Sequence, residues 1–498
     1  MRLATATRNF WRTLRNRYEG ARNTFGRSHI PGTVQAARFD ATTAERTELV
    51  RKARYYEKNN AIVNRMADLF EQYTVGNGLQ FFAASSSEPW NARANAYWND
   101  WKRWADLSGP LSFDSLQGVI ARTLFIDGEI FLVLTKGSGN RPRIQLIEGH
   151  RVGTPPDMRE GEGIVDGVEI DANGRPVAYH FLQNEDRLTK KIYRRVAADF
   201  VVHIFEPSRS GQYRGLPYLH PVINDINDLD DLQNLEMKAA KDAASISRVI
   251  KTQTGEIEDE DLLRGTVTQA DGSTRDQYYK DVFGAEVKVL KTGDEMEQFA
   301  ASRPNVASRE YWDYLTAKVC AGVGIPKELV LPSSMNGTVA RAVLDMANTY
   351  FRTRSAVLAD HLRHVYEYVT EWGVRTETTL QPSPADWFRS HYRAPRAVNV
   401  DVGRNSAAMI SEWKSGMRTL QDIYAEVGQD WREQLAQKAA EMAYVKELAE
   451  SLGMERAEIV QIDPNELASA NAARVAQAAQ PADDNDDPDE DSDNNSNP

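Results

Sequence analysis

The sequence predicts an α+β protein that is predominantly helical. Two observations carry this prediction: apolar residues recur at spacings of three and four over long stretches, and the spacing changes to two between Ile126 and Glu206. With 498 residues, the chain is long enough for about three domains. Hydrophobic residues make up 41%, and no apolar run approaches the roughly 18 residues of a membrane-spanning helix. We therefore expect a globular protein with no membrane partner.

Charge separates two terminal segments from the body of the chain. Residues 1–54 carry twelve Arg and Lys residues against four acids, a net charge of +8, and we interpret them as a basic arm. The last sixteen residues carry eight acids and no base, so we interpret 456–498 as a helix followed by a disordered acidic tail. The body between these ends has a net charge of −12, whereas a protein that holds nucleic acid tightly is expected to have a basic body.

Local signals place helices in the first quarter of the chain. Thr42 and Glu45 have the spacing of a capping box, which predicts a helix that runs to the break at Gly76-Asn77-Gly78. A second helical stretch is dense in aromatic residues, which are more typical of core packing than of base stacking. Its aromatic residues are Trp90, Tyr97, Trp98, Trp101 and Trp104.

Strands are predicted where the spacing of apolar residues is two. Asn173-Gly174 lies between two alternating segments and predicts a type I′ turn, because this dipeptide accepts positive φ. The segments together predict a mostly antiparallel sheet packed on helices. The predicted strands cover 129–134, 144–147, 168–170, 177–181 and 200–205.

A long helix is predicted over residues 222–250. The segment contains no Gly or Pro, and it follows Pro221, which suits the first turn of a helix. A helix over the whole segment would be about 43 Å long. One face is apolar, aspartates repeat every third residue on another face, and lysines follow toward the end. The charged positions singled out here are Asp225, Asp228, Asp231, Lys238 and Lys241.

Two further helices are predicted downstream. One runs from Val306 to Val323, because glycine and proline follow it. The other is the longest periodic segment, from Thr338 to Trp372, and Gly373 is expected to close it. Between the helices at 222–250 and 306–323, short alternating runs and many charges predict a small α/β module.

Motifs for catalysis and cofactor binding are missing from the sequence. It contains no phosphate-binding loop of the form G-x-x-x-x-G-K-S/T and no G-x-S-x-G nucleophile motif. His361 and His364 have a metal-ligand spacing, but no acidic partner motif follows them. Cys320 lies in an apolar helical stretch and is interpreted as a buried small hydrophobe. We therefore predict no enzyme activity, no cofactor and no metal site.

Two alternative functions stay open at this point. Asp225, Asp228 and Asp231 could serve a metal-dependent enzyme that processes nucleic acid. Such sites usually take carboxylates from several elements, whereas these aspartates share one helix, which favours a solvated or DNA-repelling face. The other alternative is a structural protein of a filament or tail. The feature that would distinguish it is the absence of a closed ring with a central hole.

The order of several short motifs resembles the lambda-type portal proteins of tailed bacteriophages. The resemblance extends from about Arg46 to Glu450 and rests on the order and spacing of these motifs. The motifs are Asn59-Asn60-Ala61, Gly76-Asn77-Gly78, Asp127-Gly128-Glu129, Gly211-Gln212-Tyr213-Arg214-Gly215-Leu216-Pro217, Asp228-Leu229-Asp230-Asp231-Leu232, Val323-Gly324-Ile325-Pro326, Ala340-Arg341-Ala342 and Gly416-Met417-Arg418-Thr419-Leu420.

The resemblance implies a structural protein that forms a homo-oligomeric ring, typically of twelve subunits, at one capsid vertex of the virion. Double-stranded DNA would pass through this ring, without sequence specificity, during packaging and ejection. The implied partners are the terminase large subunit, the head–tail connector or adaptor, the major capsid protein and the scaffolding protein. During assembly the protein would be in the host cytoplasm.

The resemblance also implies a portal-like fold with an α/β wing, a two-helix stem, a small α/β clip and a helical crown. The charged residues of the helix at 222–250 would line the DNA channel. A tunnel loop would face DNA with Ser333, Ser334, Met335, Asn336, Gly337 and Thr338. The implied segments are the basic N-terminal arm 1–54, wing 55–221, first stem helix 222–250, clip 251–303, second stem helix 304–325, tunnel loop 326–340, long wing helix 341–372, wing return 373–404, crown 405–455, and C-terminal helix and acidic tail 456–498.

Overall fold

The computed structural model of the chain describes most of its residues between 36 and 453. The described ranges are 36–161, 163–183, 191–245, 248–252, 264–268, 274–278, 281–282, 285–291, 306–332, 337–395, 409–426 and 431–453. The basic arm up to residue 35 and the acidic tail lie outside them. Across these ranges, no helix combines the length and the apolar character that crossing a membrane would require.

The first helical region consists of two helices. α1 (Thr43–Asn59) begins at the predicted capping box, in which Thr42 and Glu45 bond each other's backbone N–H groups. The prediction of one continuous helix was wrong, because Asn60 interrupts it. The Asn60 side chain accepts hydrogen bonds from the backbone N–H groups of Ile62 and Val63 in the first turn of α2 (Ala61–Thr74) and thereby caps it.

The aromatic-rich segment lies in the core, as predicted. It forms α3 (Glu88–Trp101), which follows strand β1 (Gln80–Ala83), and the side chains of Trp90, Trp98 and Trp101 are buried. Trp104, by contrast, is exposed. Helix α4 (Phe113–Asp127) packs against α2 in the same core.

Two antiparallel sheets follow α4. The hairpin predicted at Asn173-Gly174 is confirmed, but the type I′ turn is not, because Gly174 has a positive φ and Asn173 does not. The first sheet has three strands, with β2 (Glu129–Lys136) in the centre between β3 (Pro142–Glu148) and β8 (Val201–Phe205). The second sheet has four strands in sequence order, and Asn173-Gly174 turns the chain between the middle two. Those four strands are β4 (Ile164–Val165), β5 (Val168–Ile170), β6 (Pro176–Leu182) and β7 (Tyr193–Ala197).

The long helix predicted over 222–250 is shorter in the structure. α5 covers Ile223–Ser245, and Arg248–Thr252 forms strand β9, so the prediction of helix up to Ile250 was wrong. β9 pairs in parallel with β13 (Ala285–Lys291). This non-local pairing makes the segment a strand, although it contains no residue that would break a helix. Three shorter strands complete the described part of the module, β10 (Arg264–Thr268), β11 (Thr274–Tyr278) and β12 (Asp281–Val282).

The helices that follow the module are α6 (Val306–Val323), with the predicted bounds, the short α7 (Lys327–Val330) and the 40-residue α8 (Gly337–Thr376). Gly373 does not close α8 as predicted but lies inside it. A Cβ atom at this position would lie 2.6 Å from the Tyr97 ring and 2.8 Å from Leu380. Gly373 therefore permits close packing of α8 against its neighbours instead of ending the helix.

The remaining elements are one strand and two helices. β14 (Ser390–Arg393) pairs with β1, which returns the chain after α8 to the N-terminal part of the body. α9 (Leu420–Glu426) and α10 (Trp431–Leu452) agree with the prediction of helices in this part of the chain.

One large core joins α2, α4, the first sheet and α8. Val63, Phe70, Phe125, Leu362 and Val365 are among its fully buried residues. Cys320 lies in this core, and its burial raises the pKa of the thiol to about 12, which confirms the interpretation as a structural residue.

Two motifs that carry the family resemblance meet at the start of β2. Gly128 ends α4 in the left-handed conformation with φ +84°, which favours glycine. A Cβ atom at Gly128 would overlap the backbone of Leu216, and one at Gly215 would overlap the carbonyl oxygen of Gly128. The two segments therefore approach each other at a distance that only glycine allows.

Beside this contact, a buried ionic network surrounds Glu129. The Glu129 carboxylate accepts hydrogen bonds from Arg214 Nε at 3.0 Å, Arg46 Nη1 at 3.2 Å and the backbone N–H of Gly215 at 2.9 Å. His203 Nε2 lies 3.2 Å from the same carboxylate. Asp166 is the second acid of the network and accepts from Arg46 Nε at 2.8 Å.

The network balances its charges. Two arginines face two carboxylates, and burial lowers the pKa of His203, so this residue is neutral near pH 7. Burial acts to raise the pKa of Glu129, but the charges of Arg214 and Arg46 and the hydrogen bond from His203 outweigh it and hold this pKa well below its usual range. The network joins α1, β2, β8, the β4–β5 turn and the segment that leads into α5.

We expect Glu129→Gln to destabilise the protein by about 3–5 kcal/mol, because two buried arginines would lose the charge of their shared partner. Urea denaturation at pH 7 measures this loss. Since the pKa of Glu129 is lower in the folded state, the carboxylate stabilises the protein above the unfolded pKa of about 4.3, and this contribution fades as the pH falls below it. The variant should therefore show a weaker acid dependence of stability.

The matched control is Glu48→Gln, which breaks an exposed pair with Arg51 on α1. This control should leave the urea midpoint unchanged. Equal midpoints for Glu129→Gln and the wild type would contradict a structural role of the network.

We expect Gly215→Ala to lower the free energy of unfolding by about 1–3 kcal/mol, because the added methyl group would overlap backbone atoms that cannot rotate away. Thermal denaturation followed by circular dichroism measures the effect. Gly337→Ala is the control, since no atom lies within 4 Å of a Cβ at that position. A Gly215→Ala protein as stable as this control would contradict the close approach.

Candidate nucleic-acid interface

The candidate interface is the helix pair α5 and α6. Both helices are anchored at one end, where a Cβ atom at Gly322 of α6 would overlap the Val222 side chain before α5. The α5 residues Ile223, Ile226 and Leu229 are buried there, as are Leu315 and Val319 of α6. Toward the other end of the pair burial decreases, and Leu235 of α5 is exposed. One half of the helix pair therefore packs on the core, and the other half is exposed.

Asp225 forms an ion pair across the two helices. Lys318 Nζ of α6 donates to Asp225 Oδ1 at 2.6 Å, and the Asp225 side chain is largely buried. This hydrogen bond, together with the charge of Asp225, raises the pKa of Lys318. Asp225 was predicted as a lining residue; it also fixes α5 to α6, and its charge is compensated within the chain.

Asp228 and Asp231 are exposed on α5. Asp231 accepts a hydrogen bond from Asn227 of the same helix at 3.1 Å, and Asp228 lies close enough to contribute to the field at Lys318. Asp230 points elsewhere: it is half-buried and accepts from Asn60 Nδ2 at 2.6 Å. The outward acidic face of α5 therefore consists of Asp228 and Asp231.

Lys238 and Lys241 lie exposed farther along α5. Asp231 and Lys238 are seven residues apart, which places them on the same face of the helix about 10 Å apart along its axis. Along α5, the exposed aspartates Asp228 and Asp231 are thus followed by the exposed lysines Lys238 and Lys241.

Sequence reasoning missed the contribution of α6 to this surface. Tyr311, Tyr314 and Lys318 follow each other at spacings of three and four, so they share one face of α6. Tyr314 and Asp228 both contribute to the field at Lys318, which places this face beside the acidic face of α5. The spacing of the three residues was a visible signal, but only the structure shows which face of α6 is buried.

The predicted tunnel loop is only partly within the described residues. Ser333, Ser334, Met335 and Asn336 lie outside them. Gly337 and Thr338 belong to the first turn of α8, and Lys327–Val330 forms α7, so the prediction of an uninterrupted loop over 326–340 was wrong. α7 is held to α6 by an ion pair between Lys327 and Asp313 at 2.9 Å.

Metal binding is not supported by the side chains that the structure describes. Among these residues, no group of three or more His, Cys, Asp or Glu side chains is arranged to hold a metal ion. His361 and His364 line a cavity of about 510 Å³ together with His203. Burial lowers the pKa of His361, whereas a hydrogen bond with Glu367 raises the pKa of His364.

The sequence is similar to known portal proteins. Residues 32–354 match the model of the family described as phage portal protein, lambda family. The probable portal protein of Halomonas phage phiHAP-1 is 26% identical over 260 residues, which cover 47% of this chain and 49% of that protein. Portal protein B of Escherichia phage lambda is 22% identical over 438 residues, covering 77% of this chain and 81% of the relative. The chain thus spans about half the length of the Halomonas phage relative and more of the lambda relative.

Solved structures of gene transfer agent particles are also similar to this chain. The neck of the native particle, computed with C12 symmetry, matches with a TM-score of 0.42 and 12% identity, covering 78% of this chain and 95% of that chain. The neck of the empty particle, computed with C6 symmetry, matches with a TM-score of 0.43 and 12% identity over 77% of this chain and 93% of that chain. The similarity to these structures is limited.

The family settles several sequence predictions. Phage portal proteins are structural components of the virion and are not enzymes. The predicted resemblance, the virion location and the prediction of a non-enzymatic protein are therefore confirmed at the level of the family. Because the family model matches more than half of the residues of this chain, the chain belongs to the lambda family of phage portal proteins.

Proposed function

We propose that the chain forms a ring of twelve copies at one capsid vertex, with a central channel for double-stranded DNA during packaging and ejection. The ring would also be the docking platform for the terminase large subunit and later for the head–tail connector. The major capsid and scaffolding proteins would contact it during assembly. Membership in the portal family supports this proposal.

One observation about the helix pair carries the channel proposal. α5 and α6 bury one side in the core and present Asp228 and Asp231 on an exposed face. Each phosphate that is neutralised by a protein cation releases counterions and strengthens binding, so a basic channel would hold DNA in place. A ring of Asp228 and Asp231 side chains would instead repel the duplex, and DNA could slide. Lys238 and Lys241 would add weak contacts farther along the channel.

We propose the following assignment of portal segments to the elements of the structure. The stem would consist of α5 and α6, the clip of the strands between them, and the crown of α9 and α10. The wing would comprise the core around α2, α4, the two sheets and α8. The tunnel loop would lie between α7 and α8, in a shorter segment than the sequence suggested.

The metal-dependent nuclease is not retained as a second candidate. Asp225 is paired with Lys318 and Asp230 with Asn60, so the aspartates of α5 do not converge on one point. Convergent carboxylates are what a two-metal site requires.

We expect the purified protein to assemble into particles of about 670 kDa, since twelve chains of 56.0 kDa close into one ring. Mass photometry measures this mass, and electron micrographs should show end-on views with a central hole. A stable monomer of 56.0 kDa at every concentration and salt would contradict the ring. Filaments without a hole would instead favour the filament or tail hypothesis.

We expect the double variant Asp228→Lys, Asp231→Lys to bind duplex DNA at least about tenfold more tightly than the wild type at low salt, because the exposed acidic face becomes basic. Fluorescence anisotropy with a labelled linear duplex measures the affinity. The binding constant of the variant should also fall more steeply with salt.

The matched control carries the same charge change at two exposed aspartates outside the helix pair, Asp157→Lys and Asp199→Lys. It should change affinity much less than the α5 variant. If both double variants bind DNA equally, DNA does not reach the face of α5 and the channel proposal fails.

A further inference from the structure

Helix α10 receives little support from the described part of its own chain. Every described residue from Leu435 to Tyr444 is exposed, including Met442 at 64% and Leu435 at 38%. Arg432 pairs with Glu88 of α3 at 3.1 Å, Ala449 is buried near the C-terminal end, and α10 packs with α9. Exposed apolar residues that form one contiguous patch are typical of a surface that another protein covers.

The open face of α10 combines apolar residues with one cation. Leu435, Ala439, Met442 and Lys446 follow each other at spacings of four, three and four, so they form one stripe along the helix. Lys446 lies 3.9 Å from Glu450 of the same helix, at the limit of an ion pair. Its charge therefore remains available to a second acid.

An acid, Glu441, lies on a different flank of the same helix, about 7.5 Å before Lys446 along the helix axis. Glu441 is five residues before Lys446, which places the two side chains about 140° apart around the helix axis. Gln437 donates to Glu441 Oε1 at 2.8 Å, and Oε2 has no such bond within the described contacts. The stripe thus carries the cation Lys446, and the other flank carries the anion Glu441 beside the exposed Lys438.

We propose that the stripe of α10 docks against the Glu441 flank of α10 in a second copy of this chain, so that Lys446 of one copy pairs with Glu441 of the next. Two different flanks in contact make a head-to-tail interface, and such an interface closes into a ring when the rotation between copies is right. In a ring of twelve, the rotation between neighbouring copies is only about 30°, so neighbouring α10 helices run in nearly the same direction, as the Glu441–Lys446 pairing requires. The inference rests on the proposed ring, to which it adds an interface.

Cross-linking in the full-length protein tests this interface. Chains with Glu441→Cys and chains with Lys446→Cys are coexpressed and treated with a short bismaleimide, and we expect covalent dimers on a denaturing gel. Neither variant alone should give them, because equivalent positions lie on the same flank and do not face each other. Background is low, since Cys320 is buried and its pKa is raised to about 12.

The control replaces Lys446→Cys by Tyr444→Cys, which lies about 160° from Lys446 around the helix. Coexpression of Glu441→Cys with Tyr444→Cys should give no covalent dimer. Light scattering on each sample reports whether a ring is present. A ring without the Glu441–Lys446 cross-link, or with equal cross-linking in the Tyr444 control, overturns the interface but leaves the proposed function. A monomer without cross-links overturns both.

Discussion

The ionic network around Glu129 is the constraint on which the arrangement of the body depends. Glu129 begins the central strand of the first sheet, Arg214 lies before α5, and Arg46 lies on α1. A buried carboxylate loses its hydration, so it is stable there only while both arginines remain in place. The segment that leads into α5 is therefore fixed to the sheet by charge, and Gly128 and Gly215 allow the close backbone approach that the network needs.

Local structure could be predicted wherever the signal was contained in neighbouring residues. The capping box of Thr42 and Glu45, the Asn173-Gly174 hairpin and the bounds of α6 needed no information from distant parts of the chain. The burial of Trp90, Trp98 and Trp101 was predictable for the same reason, because the density of large apolar side chains leaves few alternatives. Family membership was predictable from the order of motifs, although the sequence does not show that Glu129 and Arg214 touch.

Predictions were wrong where a distant partner decides the structure. Residues from Arg248 have no helix breaker, yet they form a strand because β13 provides a partner for them. Glycine is typical of a helix end, but Gly373 lies inside α8, where the Tyr97 ring and the Leu380 side chain pack closely against it. Asp225 belongs to a regular acidic pattern on α5, and only the position of Lys318 shows that its charge is compensated. Periodicity identifies which residues share a face, but it does not identify what lies opposite that face.

The compensation of Asp225 bears on how a channel of this kind could work. In the proposed ring of twelve copies, three uncompensated aspartates in each chain would concentrate a large negative charge, and self-repulsion would oppose assembly. The ion pair with Lys318 removes one of these charges and at the same time ties α5 to α6. The exposed charge that remains, from Asp228 and Asp231, is followed along α5 by Lys238 and Lys241. Repulsion at one level and weak attraction at another would keep a duplex centred without holding it, which is the electrostatic balance that movement of DNA through a ring requires.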